Sequence, residues 1–124
     1  MHDFRKLNIW KRSIDLVTEI YQLTSSFPEA EKFGLTSQIR RCSVSVPSNI
    51  AEGAGRKSDK EFVQFLSIAM GSLCELETQL IISKNLKLIN SEQMEVKTSE
   101  INEIQKMIRV LGNSLKSNSL NTNI

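Results

Sequence analysis

Few side chains in this sequence could carry out covalent or acid–base chemistry, and their spacing works against most of it. The 124 residues contain one histidine, His2, beside the N-terminus. A serine or cysteine nucleophile needs a base within hydrogen-bond reach, and a histidine in a mobile terminus is not expected to supply one. Cys42 and Cys74 lack a Cys-x-x-Cys spacing and any accompanying histidine, so a zinc site and a disulfide framework are both disfavoured. Both are read as reduced thiols in a core. A helical di-iron site requires Glu-x-x-His on two helices, and the sequence has none. No metal, no cofactor and no enzymatic activity are therefore expected. The acidic series Glu92, Glu95, Glu100 and Glu103 reads as the solvated face of a helix.

The remaining chemistry is recognition of anions. Gly55-Arg56-Lys57-Ser58 superficially resembles a phosphate loop, but the required glycines would fall at positions occupied by Ala51 and Arg56, and no strand precedes them. A simpler arrangement survives: Arg56, Lys57 and Lys60 surround a helix start whose free N–H groups can hold a phosphate. The same loop also has a purely structural reading, with Gly53 and Gly55 as helix stops and Ser58 as a cap. Lys11 and Arg12 place further positive charge on the first helix. Arg40 and Arg41 are adjacent, about 100 degrees apart on a helix, so one of them is expected to turn inward toward Glu75 or Glu77. These seven cations are the candidate nucleic-acid-binding residues.

The elements that must position them are helices. Apolar residues recur at steps of three and four, and nothing alternates with period two. The first helix is predicted over about 8–26, with Asn8 as N-cap and a broad apolar face of Trp10, Ile14, Val17 and Tyr21 beside Ile9, Leu16, Ile20 and Leu23. The second covers about 29–54 and carries the seam Leu35, Ile39, Cys42, Val46 and Ile50. The third covers about 58–86, opened by a capping box of Ser58 and Glu61, with Phe62, Leu66, Ala69, Leu73, Leu76 and Leu80 along one stripe. The fourth covers about 90–116, opened by Asn90 and Gln93, with Ile101, Ile104, Ile108, Leu111 and Leu115 facing inward. Residues 117–124 are polar and read as a disordered tail. Short connections make sequential helices neighbours, which predicts one domain over 1–124: an all-α, antiparallel up-down-up-down four-helix bundle, with a three-helix arrangement containing one long bent helix as the rival.

Two residues break the helical grammar. Pro47 lies inside the second helix, where it removes a hydrogen bond to the Ser43 carbonyl at a cost of about 3 kcal/mol, so a kink is expected there. Gly71, in the third helix, costs about 1 kcal/mol relative to alanine and is expected to mark a close helix contact. The second helix also carries a small-residue stripe of Val44, Pro47, Ala51 and Ala54, which suits either an oligomer surface or edge burial within one chain.

Composition sets the outer bounds. A chain of this length can sustain one core without staples. The net charge of +2 permits nucleic-acid binding without announcing it. Charges throughout the first 13 residues, and no apolar run longer than Leu80-Ile81-Ile82, predict a cytoplasmic protein with no membrane segment.

The stretches 4–11 (FRKLNIWK), 38–55 (QIRRCSVSVPSNIAEGAG) and 61–80 (EFVQFLSIAMGSLCELETQL) resemble the 23S rRNA-intervening sequence protein family, the bacterial four-helix bundles named for reading frames within large-subunit ribosomal RNA genes. The resemblance covers nearly all of 4–115. Its most specific part is 38–55, where Arg40, Arg41, Pro47, Ser48, Asn49, Glu52, Gly53 and Gly55 match, and Cys42 stands where the family usually has alanine. The resemblance implies a four-helix bundle, a homo-oligomer that is pentameric in related proteins, and an association with structured RNA, because an accessory protein of diversity-generating retroelements is similar to this group. It brings no catalytic residues. Two functions follow: an oligomeric module that binds structured RNA or a nucleoprotein partner, and a protein-interaction scaffold without nucleic-acid binding.

Overall fold

The computed structural model describes residues 1–122, with side chains described for residues 1–118. Four α-helices follow one another: α1 (Asn8–Thr24), α2 (Leu35–Ala54), α3 (Asp59–Asn85) and α4 (Ser91–Thr122). Short 3₁₀ turns at Phe4–Lys6 and Glu29–Glu31 lead into α1 and α2. No strand occurs among the described residues, and the chain is an all-α four-helix protein. α1 packs on α2, α2 on α3 and α3 on α4, while the contact between α1 and α4 is the sparsest of these.

The core is the set of stripes read from the helical periods. Ile39, Val46 and Ile50 from α2, Leu73, Leu76 and Leu80 from α3, and Ile101 from α4 are fully buried. In α1 the buried line is Ile9, Ser13, Leu16, Ile20 and Thr24, narrower than the predicted face. Ile14 and Tyr21 lie on the exposed side of it. The two polar members of that line donate their hydroxyls to backbone carbonyls one turn earlier, Ser13 to Ile9 at 2.6 Å and Thr24 to Ile20 at 2.8 Å. Such back-bonding lets a hydroxyl be buried without an unmet donor.

Several helix ends differ from expectation. Leu7, not Asn8, precedes α1, and no side chain caps it, because the preceding 3₁₀ turn feeds the chain directly into the helix. α1 stops at Thr24, two residues short of Ser26. At α3, Ser58 Oγ accepts from the Glu61 N–H at 3.2 Å, but Glu61 returns to the Ser58 hydroxyl instead of its backbone N–H. The Asn90–Gln93 box is complete in both directions, at 2.9 and 2.7 Å. α4 continues through Thr122, past the end predicted at 116, so residues 117–122 are helical where a disordered tail was expected; residues 123 and 124 lie outside the described residues.

Two of the in-helix glycines exchange roles. Gly53 is not a helix stop: it lies buried within α2, where an added Cβ would stand 2.7 Å from Phe65 Cβ and 2.9 Å from the Phe62 ring. Only glycine permits that approach of α2 to α3. Gly71 faces open space, with nothing within 4 Å of an added Cβ, so it marks no close contact. Gly55 caps α2, its N–H reaching the Ala51 carbonyl. Pro47 is buried inside α2. The small-residue stripe is partly consumed within the chain, since Pro47 and Ala54 are buried and Val44 alone is exposed.

By length and composition α3 is apolar enough to cross a membrane, a property that its longest unbroken apolar run conceals. Its inner stripe accounts for part of this, and Ile68 and Ile82, with Leu86 just past its end, carry exposed apolar surface.

Candidate nucleic-acid interface

The contacts of the bundle sort its residues into two ends. The backbone N–H of His2 donates to the Ala54 carbonyl at 2.7 Å, and its Nε2 lies 2.9 Å from Asp59 Oδ1, with the ring against Phe62. The N-terminus is therefore tied to the α2–α3 turn, in contrast to the mobile segment expected. A groove brings Leu7 and Ile9 beside Met107, Val110 and Leu111, and a second hollow brings Val63 and Met70 beside Arg109 and Lys116. The N-terminus, the α2–α3 turn and the later part of α4 thus form one end.

Charge is distributed unequally between the ends. Residues 1–13, 47–70 and 103–118 contain ten Lys or Arg and five Asp or Glu, a net +5. Residues 14–46 and 71–102 contain six basic and nine acidic side chains, a net −3. The chain's modest overall charge conceals this polarity. A surface with such an excess of positive charge attracts polyanions by long-range electrostatics.

The candidate cations divide into free and engaged groups. Arg12 Nη1 and Nη2 donate to the two carboxylate oxygens of Glu103 at 2.6 and 2.8 Å. This forked bond holds the Glu103 carboxyl below its ordinary range and Arg12 above its own. Glu103 is thus no idle member of a solvated face. Arg56 donates to Glu52 at 2.8 Å and stacks over the Phe65 ring at 4.8 Å. Lys11, Lys57 and Lys60 are exposed and form no ion pair among the described residues. These five belong to the basic end.

Arg40 and Arg41 lie in the other half. Arg40 turns toward α1, not toward Glu75 or Glu77: its Nε donates to Thr24 Oγ1 at 2.9 Å and its guanidinium lies 4.5 Å from the Tyr21 ring centre. The side facing α3 is taken instead by Cys42, whose thiol donates to the Ser72 carbonyl at 2.9 Å, and by a short Ser45–Ser72 hydroxyl contact. Burial, assisted by Glu75, pushes the Cys42 thiol up to about 12. Cys42 is the expected buried thiol, whereas Cys74 is exposed. Arg41 is exposed on the outer side of α2.

The structure adds Arg5, Lys6, Lys106, Arg109 and Lys116 to the basic end, none of which the sequence reading selected. Lys106 and Arg109 are three residues apart and so share a helix side, a signal available in the sequence. Their proximity to the α2–α3 turn was not available, because it depends on tertiary packing. No group of three or more metal-ligating side chains is present among the described residues.

A family model for the 23S rRNA-intervening sequence protein matches residues 5–110. The chain belongs to that family. A crystal structure of a protein of unknown function from the S23 ribosomal protein family of Bacteroides thetaiotaomicron superposes with a TM-score of 0.78 at 25% identity, covering 85% of this chain and 95% of that one. No curated protein sequence gives a significant match. The family match spans α1 to α3 and the part of α4 that reaches the basic end, so Lys11, Arg12, Arg56, Lys57, Lys60, Lys106 and Arg109 all fall within it.

Proposed function

We propose that this member of the family is a non-enzymatic, oligomeric, cytoplasmic module that binds structured RNA, alone or within a nucleoprotein, through its basic end. The observation that carries the reading is the net +5 gathered at one end of the bundle against −3 at the other. Phosphate backbones supply most of the affinity in sequence-independent RNA binding, and they are recognised by such a concentration of Lys and Arg. The similarity to this family that the sequence reading gives to a retroelement accessory protein favours the same reading, and the family name supplies a ribosomal RNA context.

The test is fluorescence anisotropy with a structured RNA at fixed low salt. Replacing Arg56, Lys57 and Lys60 by glutamate abolishes binding under this proposal while leaving the circular dichroism of the fold intact. Unchanged affinity in that variant would exclude the basic end as the site.

A second reading, a scaffold that recruits protein and no RNA, is favoured by the exposed apolar side of α3, where Ile68 is 52% and Ile82 43% exposed. The same surface suits self-association. Light scattering on the eluted peak would then give a multiple of 14.1 kDa, five copies by the resemblance, and a monomer would exclude the oligomer.

A further inference from the structure

Among the described residues, the ion pairs that join two different helices both lie between α1 and α4. Between α1 and α4, Arg12 is held by Glu103, and Lys97 Nζ lies 3.4 Å from Glu19 and 3.2 Å from Glu100. The Lys97 side chain is only 9% exposed, so its charge has been drawn almost wholly out of water. The seam is also where helix contact is sparsest, and at the basic end it widens into a groove of about 510 Å³ lined by Leu7, Ile9, Met107, Val110 and Leu111.

A buried charge with partners on two helices holds them together only while both partners are present. The apolar side chains behind it from α1, chiefly Ile9, Leu16 and Ile20, share their line with Ser13 and Thr24. Those hydroxyls already bond within α1 itself and make no demand on α4. α1 is also the shortest of the four helices, at 17 residues, and a helix of that length is marginal once undocked. Opposite it, α2 and α3 are locked by the close approach at Gly53.

We infer that the α1–α4 seam is an ionic latch: the bundle opens there, with α1 coming away from α4, while α2 and α3 stay packed. Opening starts at the existing groove and extends it into an apolar slot between Leu16, Ile20 and Ile104. It also releases Arg12 from Glu103 at the basic end. The latch stands independently of RNA binding.

Native-state hydrogen exchange in a urea series tests it on the full chain. α1 amides exchange at least about tenfold faster than those of α2 and α3, with a shallower dependence on urea, because they open without global unfolding. Glu19→Gln with Glu100→Gln strands the Lys97 charge and speeds α1 exchange on the order of a hundredfold, whereas Lys97→Met slows it or leaves it unchanged. Gly53→Ala, which loosens the α2–α3 pair present in both closed and open forms, speeds α2 and α3 exchange and leaves α1 unaltered. If α1 exchanges with the same urea dependence as α2 and α3, or if Gly53→Ala accelerates all helices equally, there is no latch. Wild type and Gly53→Ala decide the matter even if the double variant fails to fold.

Discussion

The half of the bundle holding the N-terminus and the α2–α3 turn carries a net +5, and the half holding the other two turns carries −3, although the same four helices pass through both. The halves differ in how their charges are used as well as in number. In the basic half Asp3, Glu52, Asp59 and Glu103 are bound to Arg5, Arg56, His2 and Arg12 respectively, so four of its five acids are occupied and Lys11, Lys57 and Lys60 remain open to solvent. In the other half two cations, Arg40 and Lys97, are turned inward to helix neighbours. The same residue type therefore serves packing at one end and remains available to a ligand at the other.

Charge reversal separates the ends most sharply. Lys106→Glu with Arg109→Glu is expected to weaken RNA binding and to lower the log–log salt slope by about two, roughly one per lost phosphate contact. Arg41→Glu in the acidic half is expected to leave both unchanged. Equal losses from the two variants in anisotropy titrations would erase the distinction between the ends.

A smaller effect concerns how rigidly the ends are built. Gly53→Ala forces Phe62 and Phe65 apart and is expected to cost about 1–3 kcal/mol in urea unfolding. Gly71→Ala fills open space on a helix and is expected to gain about 0.4–1 kcal/mol by the same measurement. A loss at both positions would show that α3 is as constrained at Gly71 as α2 is at Gly53.

The smallest effect is on pH dependence, and its sign differs between two carboxylates near the α1–α4 seam. The Glu103 carboxyl is lowered by its bond to Arg12, so its contribution is complete above the unfolded glutamate range near pH 4.3 and is lost as pH falls through the lower folded value. Glu100 is raised, first by burial and next by Glu19, against the opposing pull of Lys97, so its protonation on acidification favours the folded state. Thermal melts between pH 7 and 3 should show a shallower acid decline in Glu103→Gln and a steeper one in Glu100→Gln. Identical slopes in the two variants would contradict these opposite assignments.

The helices and nearly all of the core were legible because burial at steps of three and four leaves its mark on residue type. Ile39, Val46, Leu73 and Ile104 are where their periodicity places them. The α1 face was read too broadly because Ile14 and Tyr21 are apolar without being central, whereas Ser13 and Thr24 are polar yet buried by bonding within their own helix. Gly53 and Gly71 were misjudged because the space around a glycine is set by the neighbouring helix, here Phe62 and Phe65 at one and nothing at the other. Of the candidate site, the α2–α3 turn was visible as a run of cations around a capped helix start. Its union with Arg5, Lys106 and Arg109 was not, since these residues are brought to one end only by packing.

The central claim, that the basic end holds RNA, is tested most directly by measuring Kd for a structured RNA on the wild-type chain from low to moderate salt. Release of counterions from each neutralised phosphate predicts that log Kd rises linearly with log salt, with a slope of about 0.7–0.9 for every contact made. A slope of several units meets the prediction, and absent or salt-independent binding contradicts it.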